Sequence, residues 1–137
     1  MNASFVAYTI DWYLALIKPF FTPPAVAIAA VWAVLYIVIA LSFGFVFIRA
    51  FKKQLLSAVW LPFAVNLFFN LLYAPLWFGL KNNGLAFVNV LLVLVTLVWA
   101  MRKIWPVHRW VAWVNLPYLL WVMFAAVLQL GIALLNG

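Results

Sequence analysis

The chain has 137 residues, 72% of them hydrophobic and only 7% charged. A soluble domain of this size needs a surface with about a quarter of its residues charged, so the solvent this chain is built for is the bilayer. Eight Lys or Arg stand against one acidic residue, Asp11, for a net charge of +7, and there is no cysteine; disulfides and thiolate metal sites are excluded.

From the N-terminus, MNASFVAYTIDWYLALI is apolar but short, contains Asp11, and runs into KPFFTPP, whose three prolines break a helix. It lacks the basic start and small-residue cleavage site of a signal peptide. Residues 1–24 are therefore expected to form a short interfacial segment and loop, with a truncated fifth span as the alternative. Four long apolar runs follow, at about 25–48, 55–80, 84–101 and 111–135. Each approaches or exceeds the roughly 20 residues that cross a hydrocarbon core as a helix, and the alternating ten-residue segments of a barrel are absent. The expected fold is an all-α integral membrane protein: one domain, residues 1–137, built as an antiparallel bundle of four transmembrane helices.

The basic residues sit at the edges of the apolar runs, where topology-setting charges and headgroup contacts belong. Membrane lipids are thus the expected partners of this charge, and nucleic acid is not. Arg49, Lys52 and Lys53 follow the first span, and Arg102, Lys103 and Arg109 follow the third; the opposite face has only Lys18 and Lys81. The positive-inside rule places loops 49–54 and 102–110 in the cytoplasm and the C-terminus outside, as in the inner (plasma) membrane of a prokaryotic cell.

Away from their ends the spans contain no Asp, Glu, His, Lys or Arg. Acid–base catalysis needs a positioned titratable group, and ion-coupled transport usually needs a buried ionisable one, so neither an enzyme nor a proton pump is expected. His108, beside Arg109 in a basic loop, has no partner for a metal site. What the spans do carry is stripes. Asn66, Asn70, Tyr73 and Trp77 recur at i, i+4, i+7 and i+11 and so share a helix face. Trp32 and Tyr36 lie one turn apart on the first span, and Tyr118, Trp121, Ala125 and Gln129 share a face of the last. Amides are costly against lipid, so these faces should point inward. Each polar residue alone reads as interhelical glue; together the three faces read as a pocket for a flat, mostly apolar ligand. The competing reading is a structural or interaction protein with a collapsed pocket.

At these residues the chain resembles the tryptophan-rich sensory protein family, also called translocator protein or peripheral benzodiazepine receptor. The matching landmarks are KPFFTPP, WAVLY (Trp32 to Tyr36), NLFFNLLYAPLWFGLK (Asn66 to Lys81), Trp99, Trp110 and LPYLLWVMFA (Leu116 to Ala125). The resemblance implies a membrane receptor or carrier that binds porphyrins, including haem precursors, within its bundle, requires no cofactor, and forms a homodimer. It assigns Trp32 and Asn70 to hydrogen bonds with the ligand, Trp121 and Ala125 to a pocket wall, and KPFFTPP to the start of the helix below a lid loop. Asn66 either braces Asn70 or lines the same wall. The family has five spans, so here its first helix is expected to be missing or shortened. Phe20 and Phe21 stand where the family has tryptophans, Asn66 where it has glutamine, Tyr73 where it has tryptophan, and Gln129 where it has asparagine. The cholesterol-linked pattern of animal members is absent from the C-terminal ALLNG.

Overall fold

The computed structural model describes residues 12–136, apart from the Phe78 side chain. Asp11 and the rest of the first eleven residues, expected at the outer interface, lie outside the described residues. Beyond a short helical stretch at 12–15, five α-helices account for most of the described residues: α1 (Ala25–Phe51), α2 (Ser57–Ala74), α3 (Asn83–Ile104), α4 (Arg109–Val114) and α5 (Leu116–Asn136). Counting α2 with the turn after it and α4 with α5, four helical stretches among the described residues are long and apolar enough to cross a membrane: Ala25–Phe51, Ser57–Trp77, Asn83–Ile104 and Arg109–Asn136. Their ends fall within a few residues of the apolar runs.

Local chemistry fixes these boundaries. Pro24, at φ −58° and ψ 148°, is extended and ends KPFFTPP where α1 begins. Lys53 ends α1 in the left-handed region at φ 58°, with the Gln54 amide turned back onto the Arg49 carbonyl at 2.8 Å in the manner of a helix C-cap. Pro75 cannot donate to the carbonyl four residues earlier. The chain there widens into a π-turn, Pro75–Gly79, closed by the Leu80 amide on the Pro75 carbonyl at 3.0 Å. Asn82 caps α3, its side chain accepting from the Leu85 amide at 2.9 Å, as an N-cap should. The fourth span is interrupted at Asn115, whose Nδ2 donates to the Val111 carbonyl at 2.8 Å.

Helix α3 is the centre of the bundle, packed against both α2 and α5. Helix α1 joins by only one half. Its buried residues, Leu35, Ile39, Ser42, Phe43 and Val46, all lie beyond its first ten positions, and Phe43 packs edge-on against Phe63 at 4.9 Å. The basic ends of the spans meet on one side, where Phe45 touches both His108 (5.0 Å) and Trp110 (4.9 Å). At the opposite end the N-terminal segment docks onto α5. The Ile17 amide donates to Asn136 Oδ1 (3.0 Å) and the Ile17 carbonyl accepts from Asn136 Nδ2 (2.7 Å). Pro19 comes so close to Gly131 that a Cβ there would lie 2.5 Å from its Cγ. Residues 17 and 19 are therefore held against α5 by named contacts.

Candidate ligand cavity

The unpacked half of α1 faces a half-enclosed cavity of about 650 Å³, walled by α1, α2, α3, α5 and residues 13–14. Seven of the nine residues singled out in the sequence line it: Trp32, Tyr36, Asn70, Tyr73, Trp77, Trp121 and Ala125. Trp32 and Tyr36 lie face to face along α1, ring centroids 5.4 Å apart and tilted by 31°. Across from them, Trp121 and Ala125 present an indole and a methyl one turn apart on α5. At the end away from the basic loops Trp77 packs edge-on against Tyr13 (5.5 Å) and Trp12 (6.3 Å), so the N-terminal segment contributes a wall. Burial raises the Tyr13 phenol above its ordinary pKa, and the group stays protonated at neutral pH.

The other two residues, Asn66 and Tyr118, are fully buried and lie behind the wall. They belong to a hydrogen-bond chain whose donors all run one way. The Tyr36 hydroxyl donates to Asn70 Oδ1 (2.9 Å) and Asn70 Nδ2 donates to the Tyr118 hydroxyl (2.8 Å). Tyr118 in turn donates to Asn66 Oδ1 (2.9 Å), and Asn66 Nδ2 donates to Thr96 Oγ1 (3.0 Å) and the Val93 carbonyl (2.8 Å). The chain ties α1, α2, α3 and α5 together, and every amide in it is satisfied, as buried amides in hydrocarbon must be. Asn70 thus spends its oxygen on Tyr36 and one N–H on Tyr118. Tyr36, which lines this wall, is itself partly exposed.

Two further side-chain pairs lie at the end away from the basic loops. Tyr73 donates to Gln129 Oε1 (2.8 Å), and Trp77 Nε1 donates to Asn83 Oδ1 (2.7 Å). The sequence reading missed Asn83, Asn89, Thr96 and Asn115 as polar partners; the signal was available, since each is a small polar residue in or beside an apolar run. It also missed Tyr13 and Leu14 as cavity walls, which no local pattern announces. Among the described residues no group of three His, Asp or Glu is placed to hold a metal, and the cavity walls carry no carboxylate, imidazole or amine. The arrangement can hold an apolar, planar molecule by contact and offer it a few hydrogen bonds.

Set beside known proteins, the sequence matches the TspO/MBR family model over residues 1–135. The chain belongs to the TspO/MBR family. It is 37% identical over 136 residues to the tryptophan-rich protein TspO of Bacillus cereus, covering 97% of this chain and 87% of that one. To the translocator protein of Ovis aries it is 34% identical over 125 residues, covering 86% of this chain and 70% of that one. The tryptophan-rich sensory protein of Cereibacter sphaeroides is similar at 28% identity over 126 residues, 92% of this chain and 77% of that one. Membership joins the four spans and the aromatic stripes to a family whose members carry the names translocator and sensory protein.

Proposed function

We propose that this TspO/MBR protein is a membrane receptor or carrier that binds porphyrin-like or other flat apolar molecules, haem included, within its helix bundle, and that it binds without chemical turnover. The observation that carries the reading is the 650 Å³ cavity walled by Trp32, Tyr36, Trp77, Trp121 and Ala125. Its size falls within the roughly 300–1,000 Å³ of small-molecule sites, and its makeup, apolar walls with few polar groups, is theirs too. The names of the relatives support a transport or sensing role, and among the described residues the walls carry no carboxylate, imidazole or amine, which supports binding without acid–base chemistry. The same reading places the basic end of the spans in the cytoplasm of a prokaryotic cell and pairs the protein as a homodimer.

The test uses the protein's nine tryptophans. Protoporphyrin should quench their fluorescence saturably in the detergent-solubilised protein, and Trp32→Ala should raise the half-saturation concentration severalfold. Quenching that stays linear and ignores the substitution would replace the receptor with a purely structural protein. That second reading has one observation of its own: Asn66 and Tyr118 serve helix–helix contact and not the cavity.

A further inference from the structure

At the basic end of the bundle lies a separate groove of about 290 Å³ between α3 and the α4–α5 junction. Val98, Met101 and Leu119 line it with apolar side chains, together with the indoles of Trp105 and Trp113, which touch each other with centroids 5.9 Å apart. Arg102 lines the groove itself, and the Arg109 guanidinium lies 5.1 Å over the Trp105 ring. One arginine thus lines the apolar slot, and a second lies over one of its indoles. From Val98 to Trp105 helix α3 rises roughly 10 Å, enough to lay the first part of an acyl chain along it.

Charge identifies the occupant. The chain offers one carboxylate side chain, Asp11, for eight basic groups, so protein side chains cannot neutralise this end, where six of the eight lie. The counter-charge must come from outside. In the interfacial plane, where indoles settle, the anions at hand are lipid phosphates. Arginine, with its stem along an apolar surface and its fork at the polar edge, is suited to hold one. We propose that this groove is a binding site for one anionic phospholipid, with the proximal acyl chain on Val98, Met101 and Leu119 and the headgroup phosphate between Arg102 and Arg109.

Native mass spectrometry of the full chain, released from micelles doped with phosphatidylglycerol or phosphatidylcholine, tests this. One phosphatidylglycerol should persist under activation that strips phosphatidylcholine. Arg102→Gln with Arg109→Gln should weaken its retention about tenfold, while Lys52→Gln with Lys53→Gln, which removes the same charge from the same end away from the groove, should leave it unchanged. Equal losses in the two double variants would overturn the site in favour of diffuse surface charge. Equal retention of the two lipids by the unmodified protein would overturn it without any variant.

Discussion

Replacing Tyr118 by phenylalanine separates a brace from a ligand contact. The Tyr118 ring is fully buried against Trp32 and Phe43, with centroids 6.5 and 6.4 Å away, and phenylalanine keeps that packing. What is lost is one hydroxyl and two hydrogen bonds: the 2.8 Å bond from Asn70 and the 2.9 Å bond to Asn66. Side-chain hydrogen bonds between membrane helices contribute about 0.6 kcal/mol on average and at most about 1.7, so two come to about 1–3 kcal/mol. Asn66 keeps Val93 and Thr96 as acceptors, and Asn70 keeps Tyr36 as a donor. The Asn66 oxygen loses its donor, which places the cost above the lower end of that range. Reversible unfolding in mixed micelles should show Tyr118→Phe destabilised by that amount. A double-mutant cycle with Asn66→Ala should return a coupling of the same sign. Porphyrin affinity should change little, because the hydroxyl does not reach the cavity. Unchanged stability with weakened porphyrin binding would refute this and return Tyr118 to the ligand.

Ala125→Phe should fill cavity volume beside Trp121 and weaken porphyrin binding at least tenfold with little effect on melting temperature; a lowered melting temperature with intact affinity would mark Ala125 as a helix-packing residue instead. In Gly131→Ala, the new methyl meets Pro19 Cγ at 2.5 Å. The gain in helix propensity of about 1 kcal/mol should be offset by displacement of the docked segment, read as faster hydrogen exchange at the Ile17 amide. Asn136→Ala removes both hydrogen bonds to Ile17 and should speed exchange at that amide without any new clash.

The spans were legible because hydrocarbon imposes a coarse rule: about twenty apolar residues, with charges at the ends. The stripe Asn66–Asn70–Tyr73–Trp77 was legible as one inward face, since spacing alone decides that. Spacing does not decide the partners. In the folded chain the four residues meet different sets of partners: Asn66 turns to Val93, Thr96 and Tyr118, Asn70 to Tyr36 and Tyr118, Tyr73 to Gln129, and Trp77 to Asn83. Asn66 and Tyr118 consequently sit behind the cavity wall while their stripe-mates line it. Trp77 reaches Asn83 from within a π-turn; Pro75 marks a break in the sequence, but nothing local says that the chain would widen there and continue. The contribution of Tyr13 and Leu14 depends on docking between residues 119 positions apart, Ile17 and Asn136, which a linear pattern cannot encode.

The half of α1 that remains unpacked bears on how a guest would be counted. Ala25 and Ala29 on α1, Leu71 on α2 and Leu14 are exposed residues of a cavity wall that is itself only half enclosed. On the proposed function the mouth opens sideways into hydrocarbon, and an apolar guest would enter from solution in lipid. The concentration that sets occupancy is moles of guest per mole of lipid. Half-saturation expressed per litre of buffer should climb in proportion to the lipid or detergent added, while the ratio of guest to lipid at half-saturation stays constant.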